Sequence, residues 1–270
     1  MQIDWISDIH LDFWVSPKLN DAKQRKAIER FVETLFPKRG EVLFIAGDTG
    51  HYNNQNELLL RLLSERYARI LVTWGNHDLY LGSNSMLKKY GDSSNRLNAF
   101  KRICDTLPNV TFLDGDTVAY EGMRIWGSGL WYGVEDMAHW RATMSDASRI
   151  VMNNGYRFVD FDDYGKRCLY RFDPNAFYKR EIEKLRNLKD ADIVMTHVPP
   201  MLPDTIGKSW ERYYRFEGKA HLERIRPKLW LFGHLHRRYD FTYGSTRLLC
   251  NPLGYPDERK EPFQLQSLEI

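Results

Sequence analysis

The chain has 270 residues, 39 Lys and Arg against 36 Asp and Glu for a formal net charge of +3, and 43% hydrophobic residues. That length suits one large domain or two modest ones, and 14 Phe, 15 Tyr and 8 Trp supply core-forming material that a disordered chain lacks. A charge so near neutrality is not the footprint of a nucleic-acid-binding protein, and no apolar run approaches the ~20 residues of a membrane span.

Cys104, Cys168 and Cys250 are too few and too scattered for a fully paired disulfide framework or a CxxC zinc site. They read as reduced, buried thiols of a cytoplasmic protein. The opening MQIDWISDIH has no basic segment followed by an apolar stretch, so no secretory leader is expected.

Residues 1–7 alternate and are rich in branched and aromatic side chains, which predicts an opening strand. Residues 18–36 place Ala22, Ala27, Ile28, Phe31, Val32 and Leu35 at helical spacing, and Pro37 and Gly40 stop the helix. A strand at 42–46, a helix at 56–68 and a strand at 69–74 follow, which is the alternation of parallel βαβ units. A helix is expected at 95–107, then strands at 110–113, 117–120 and 123–130, the last two joined at Glu121-Gly122. Residues 131–172 lack a clean period and read as an insertion with some helix, within a single domain spanning 1–270. Beyond it come a helix at 174–188, a strand at 193–196, a Pro-rich loop at 199–218, a short helix at 219–225, a strand at 229–232 and a hairpin of 239–243 with 246–251 around Gly244.

The unusual residues stand at five strand ends: Asp8 and His10, then Asp48, then Asn76, His77 and Asp78, then His197, then His234 and His236. Open α/β sheets build their sites outside the carboxyl ends of strands. Imidazole and carboxylate donors without thiolates suit divalent ions such as Mn²⁺, Fe²⁺ and Zn²⁺. Extended backbone would turn both side chains of Asp8-x-His10, and both of His234-x-His236, into one pocket.

The ordered motifs DIH, GD, GNHD, H and GHLH resemble the calcineurin-like metallophosphoesterases, over nearly the whole chain. The tail from Gly244 to Pro256 is similar to a bacterial and phage subgroup. The resemblance implies two β-sheets in a sandwich flanked by helices, and two divalent metal ions, manganese foremost with iron, zinc, nickel or magnesium as alternatives. It implies that Asp8, His10, Asp48 and His236 hold one ion, and that Asp48 bridges to a second held by Asn76, His197 and His234. His77 would face the phosphoryl group and donate a proton to the leaving oxygen, oriented by Asp78, while a hydroxide bridging the metals attacks phosphorus. One position departs from the pattern. Many relatives carry a further Asp three residues after the bridging one, where this chain has His51. The forms of the second and third motifs found in Ser/Thr protein phosphatases are also missing.

Residues 131–172 and 199–218 are the expected substrate rim. Trp131, Tyr132, His139 and Trp140 suit a base- or sugar-sized pocket, and the stretch KSWERYYRF interleaves Lys208, Arg212 and Arg215 with Trp210, Tyr213 and Tyr214. Arg237 follows the last motif closely enough to reach a phosphate. His51, His139 and His221 read as structural. The favoured function is hydrolysis of a small, nucleotide-like phosphoester, monoester or diester. A nuclease of the same chemistry and a metal-binding scaffold without catalysis are the alternatives, nucleic acid being disfavoured by the charge.

Overall fold

The computed structural model describes residues 1–37, 40–152, 158–161, 167–203 and 211–270, with backbone alone for 158–161, 167–170 and 211. The strands are β1 (Gln2–Ile6), β2 (Gly40–Ala46), β3 (Tyr67–Thr73), β4 (Val110–Phe112), β5 (Asp116–Tyr120), β6 (Met123–Ser128), β7 (Phe158–Phe161), β8 (Arg167–Tyr170), β9 (Ile193–Thr196), β10 (Leu229–Phe232), β11 (Tyr239–Tyr243), β12 (Thr246–Cys250) and β13 (Gln266–Glu269). One sheet has the order β13-β1-β2-β3-β4 and the other β11-β12-β10-β9-β6-β5, while β7 and β8 form a separate hairpin. β1, β2, β3 and β4 run parallel in the first sheet, and β6, β9, β10 and β12 run parallel in the second.

Alternation along each central strand explains why the sheets stack. In β2, Val42, Phe44 and Ala46 join Leu71 of β3, Ile193 and Met195 of β9, and Leu229 and Leu231 of β10 in one buried cluster between the sheets. The intervening residues, Leu43, Ile45, Ile70, Val72, Val194, Trp230 and Phe232, belong to a second cluster that also contains Ile28, Leu59, Leu63, Phe100, Phe177, Leu185 and Leu222 from helices. Strands buried on both faces read as continuous apolar runs, and helices cover the two outer faces. The result is the expected two-sheet sandwich flanked by helices. Among the described residues no helix is long and apolar enough to cross a membrane.

Several boundaries differ from the sequence expectation. The second long helix spans Asn53–Ser64 rather than 56–68. It starts early because Asn53 and Asn56 are buried and hydrogen-bonded to the carbonyls of Arg96 and Gly50. It ends early because Tyr67 opens β3, its hydroxyl donating to Asp4 at 2.7 Å. The short helices Leu11–Trp14 and Asn84–Tyr90 and the edge strand β13, antiparallel to β1, have no counterpart in the sequence reading. The insertion carries two short helices, Met137–Thr143 and Asp146–Arg149, besides the β7–β8 hairpin.

Because Leu71 is fully buried between the sheets, Leu71→Ala is expected to lower unfolding free energy by ~2–5 kcal/mol. Leu19→Ala, at an exposed position, should change it by no more than ~0.5 kcal/mol. Denaturant titration of both variants checks the difference.

Candidate metal centre and active site

The parallel strands β1, β2, β3, β9 and β10 deliver all five motifs to one edge of the sandwich. Asp8 and His10 follow β1, Asp48 follows β2, Asn76 and His77 open a 3-10 turn (Asn76–Leu79) after β3, His197 follows β9, and His234 and His236 follow β10. The loops are tied to each other across the sheets. The amide of Asp8 donates to Gly47 O, that of His234 to Asp8 Oδ1 at 3.0 Å, and that of Gly233 to His197 O.

The backbone here is not the extended form expected for the Asp-x-His and His-x-His pairs. Asp8, His10, Asp48 and His234 have φ of 51°, 45°, 54° and 70°, and they are four of the seven non-glycine residues with positive φ among the described residues. Each such residue costs about 1–3 kcal/mol unless its surroundings over-determine it. The side chains converge through these tight left-handed corners, not through strand alternation. Glycine precedes the ligands for a related reason. A Cβ on Gly47, itself at φ 85°, would lie 2.6 Å from His197 Nδ1, and one on Gly75 would lie 2.7 Å from His197 Cε1.

Two groups of acceptors face each other. In the first, His10 Nε2 lies 3.0 Å from His236 Nε2 and 3.7 Å from Asp48 Oδ2, and His236 Nε2 lies 3.8 Å from Asp8 Oδ1. His236 Nδ1 is 2.6 Å from Glu258 Oε2, and since a carboxylate only accepts, Nδ1 carries a proton. Asp8 Oδ2 is buried without a hydrogen-bond partner. In the second group, Asn76 Oδ1 lies 3.0 Å from His197 Nε2 and 3.1 Å from His234 Nδ1. The other ring nitrogens donate to the carbonyls of Ala46 and Tyr213, at 2.9 and 3.1 Å, so both facing nitrogens are bare. Asp48 Oδ2, 3.5 Å from His197 Nε2, stands between the groups.

Burial and crowding govern the charges. Burial raises the Asp8 carboxyl to about 6 against the lowering influence of His236. Burial, then the carboxyls of Asp8 and Asp78, pushes Asp48 well above the usual carboxylate range. Burial and mutual repulsion hold His10, His77 and His197 well below the ordinary imidazole value. The site therefore consists of neutral imidazoles and carboxyls in need of a cation. The buried, partnerless Asp8 oxygen and the three acceptors aimed at one point beside Asn76 fit divalent ions with nitrogen and oxygen ligands. Asp8–His10–His236, His10–Asp48–His77 and Asp8–Asp48–His197 each bring three ligand atoms within 4.8 Å of one another.

Asp78 does not hold the His77 ring. Its Oδ2 accepts the amides of Asp48 and Gly75 at 2.9 and 2.8 Å, knitting two loops together, and the buried Arg96 faces it. The ring of His77 pairs instead with His51, Nδ1 to Nε2 at 3.0 Å.

Asp146, from the insertion, is fully buried and has no motif around it to reveal it in the sequence. Its carboxylate accepts from Asn76 Nδ2 at 2.9 Å and from the hydroxyls of Tyr80 and Tyr132. That bond decides which way the Asn76 amide faces, and so turns Oδ1 toward the two histidines.

The cleft above these residues encloses about 620 Å³, with Tyr80, Tyr214, Tyr255, Arg149 and Arg237 in its wall. Arg237 is thus where a substrate contact was expected. Trp140 is not. It is 1% exposed, and its indole N–H donates to Tyr132 at 3.0 Å, so this large ring packs the insertion onto the core. Trp131 and Tyr132 are buried in the same way. Arg212 is exposed over the ring of Tyr213 and is not part of the cleft wall. Tyr213 is buried and supplies the carbonyl that fixes His234, while Tyr214 stacks on the His234 ring. Lys208 and Trp210 lie outside the described residues. His139 contacts the Tyr213 hydroxyl and His221 lies beside Arg224, both away from the cleft.

Loss of an outer-shell partner typically costs 10–100-fold in metal affinity. Asp146→Ala is expected to weaken divalent-ion binding at the Asn76–His197–His234 group by about that factor, as read by Mn²⁺ titration with calorimetric detection.

Residues 1–238 match the family model described as calcineurin-like phosphoesterase. Protein L509 of Acanthamoeba polyphaga mimivirus is 22% identical over 272 aligned residues, covering 94% of this chain and 91% of that protein. Among solved structures, phosphopantetheinyl hydrolase from Mycobacterium tuberculosis superposes with a TM-score of 0.70 at 16% identity, covering 99% of this chain and 95% of its own. The protein TT1561 of Thermus thermophilus superposes with a TM-score of 0.54 at 13% identity, covering 93% and 88%. With the family model spanning most of the sequence and all five motifs at one edge of the sandwich, the chain belongs to the calcineurin-like phosphoesterases and is a metal-dependent phosphoester hydrolase.

Proposed function

We propose that the chain hydrolyses a small phosphoester with two divalent ions, one held by Asp8, His10, Asp48 and His236 and the other by Asp48, Asn76, His197 and His234. The observation that carries this reading is the position of Asp48 Oδ2 between two sets of nitrogen and oxygen ligand atoms. Two such ions, when bound, offset the charge that builds on phosphoryl oxygens and lower the pKa of water. The donor set contains no thiolate and suits Mn²⁺, Fe²⁺ or Zn²⁺, and manganese is the ion to load first.

The chain's own residues do the rest. His77 lines the cleft and would pass a proton to the leaving oxygen. Its backbone amide donates to Asp48 Oδ1 at 2.8 Å, which keeps Oδ2 turned toward the two histidine groups. Arg149 and Arg237 are exposed on the cleft wall over the rings of Tyr80 and Tyr239, where they meet the anionic part of a substrate. Aromatic walls at this volume suit a small organic phosphoester rather than a duplex. The phosphopantetheinyl hydrolase likeness makes phosphopantetheine-type esters one class to assay beside nucleotides. Buried free thiols at Cys104 and Cys250 agree with a reducing, cytoplasmic setting.

Loaded protein is expected to contain two ions per chain. Asp48→Asn should diminish both sites and abolish turnover of a nitrophenyl phosphodiester and monoester, whereas Asn76→Ala should chiefly diminish one. One ion at saturation, or unchanged metal content in Asp48→Asn, overturns the two-ion reading.

Metal affinity should also follow pH. In the metal-free protein Asp8 is protonated below about 6, and an ion must displace that proton and any that burial holds on Asp48, while the lowered imidazoles of His10 and His197 contribute none. Affinity should rise as pH increases toward 6, and below that fall by about tenfold per pH unit for each proton displaced. Competition with a chelator across this range measures the slope.

His77→Asn separates binding from chemistry. Metal content should hold, and turnover of an alkyl ester should drop by ~10²–10⁴-fold. A nitrophenyl ester, whose leaving group departs without a proton, should lose much less. Paired kinetics on the two substrates decide it, and a uniform loss would leave His77 stabilising phosphoryl charge only.

A further inference from the structure

The cleft does not end at the candidate metal centre. His236, Arg237 and Glu258 line it and also line a neighbouring groove of about 700 Å³, formed by the residues after β10 and the segment after β12. Arg237 and Arg238 come from the first segment, Arg259 and Lys260 from the second. From His234 to the C-terminus the ion pairs are those of His236 with Asp8 and Glu258 and of Arg247 with Asp240. Among the described residues, then, no carboxylate pairs with any of the four cations. Of the two acidic residues in the groove, Glu258 is taken up by His236 Nδ1 and the Tyr255 amide, at 2.6 and 2.9 Å. Glu261 meets Arg259 through its backbone carbonyl and not its carboxylate.

A run of exposed cations is ordinarily a solvated face, but Arg259 is built in. Its Nε donates to Glu261 O at 3.2 Å and its Nη1 to Leu253 O at 2.8 Å, and the guanidinium lies over the Phe263 ring, 5.2 Å from the centroid. Burial lowers its pKa, and no neighbouring carboxylate offsets that cost. Arg238 is held as well, its Nη2 donating to Gln266 Oε1 at 2.6 Å. A guanidinium is a planar fork of donors that matches phosphate. One fixed by its own backbone before a ligand arrives loses little freedom on binding.

We propose that this groove is a second anion subsite, and that the substrate is a small phosphoester with a second phosphate, which Arg238, Arg259 and Lys260 hold while the scissile group lies at the metal centre. A phosphate, with three acceptor oxygens, suits several separate donors better than a carboxylate with two. Arg237, common to cleft and groove, stands at the junction. The link to hydrolysis rests on the function proposed above, whereas the anion subsite does not.

The experiment uses alkane-α,ω-bisphosphonates from propane to nonane, each paired with the alkylphosphonate of the same length. Their P–C bonds resist hydrolysis, so binding to the Mn²⁺-loaded protein can be titrated calorimetrically whether or not the protein is an active hydrolase. At the best-fitting length the bisphosphonate is expected to bind about tenfold more tightly than its partner, the factor carried by one hydrogen bond to a charged group. Arg238→Gln combined with Lys260→Gln should remove that preference. Lys23→Gln combined with Lys26→Gln takes the same charge from exposed positions on the helix Asp21–Leu35, outside the groove, and should keep it. No preference at any length, a preference that survives in Arg238→Gln/Lys260→Gln, or one lost equally in Lys23→Gln/Lys26→Gln overturns the subsite. Kinetics on the alkyl phosphate and bisphosphate of that length test the link. Arg238→Gln/Lys260→Gln should raise KM for the bisphosphate more than for the monophosphate. If the binding preference follows the variants while neither ester is turned over, the hydrolytic reading fails and the subsite stands. If both esters are turned over and the second phosphate brings no preference, the subsite fails and the hydrolytic reading stands.

Discussion

Asp48 stands where the two sheets meet, and its carboxylate is buried among groups that do not neutralise it. Among the described residues, its ion-pair contacts are to the imidazoles of His10 and His197 and not to a lysine or arginine. The neighbouring imidazoles of His197, His234 and His236 have their protons committed elsewhere, to Ala46, Tyr213 and Glu258. Burying a carboxylate unpaired is costly, so this edge of the sandwich is organised around positive charge that arrives from outside. The raised carboxyls and lowered imidazoles of the metal-free chain are two expressions of that one condition.

Holding such a site open requires structure that spends stability. Four residues in left-handed backbone and glycines hemmed in by His197 crowd the strand ends. The stacked sheets tolerate this because their strands are buried on both faces and supply a large apolar core close behind the loops. Arg96, fully buried, donates to the carbonyls of Gly50, His77 and Tyr80 and so ties two loops together. The insertion adds to the same framework. Trp131, Tyr132 and Trp140 pack it down, and Asp146 reaches from it to turn the Asn76 amide. Its described helices therefore support the metal centre from behind, while Thr143, Met144, Ser145 and Arg149 at their ends reach the cleft.

Two hydrogen-bond systems converge on neighbouring residues of the third motif from opposite directions. Asp146 fixes Asn76, and Asp12 through His51 meets His77. Adjacent positions in the chain are thereby given different work, since one turns an oxygen toward the imidazoles and the other turns a nitrogen toward the cleft. Asp78, the next residue but one after Asn76, serves the backbone of both loops.

Periodicity and short motifs made the architecture and the donor types legible. Continuous apolar runs mark the central strands, amphipathic spacing marks the long helices, and histidine and carboxylate residues just past strand ends mark the edge where a site belongs. These are local signals, carried within a few residues. The edge strand β13, the early start of the Asn53–Ser64 helix and the burial of Trp140 depend on partners far along the chain. So do the bonds from Asp146 to Asn76, 70 residues apart, and from Asp12 to His51, 39 apart. No spacing rule announces a carboxylate that acts on a side chain so distant. The sequence by itself determined which chemistry gathers at the strand ends, because those residues sit beside the elements that place them. Only the tertiary structure decided how each donor is oriented, because orientation is set by hydrogen bonds that exist only after the two sheets have closed on each other.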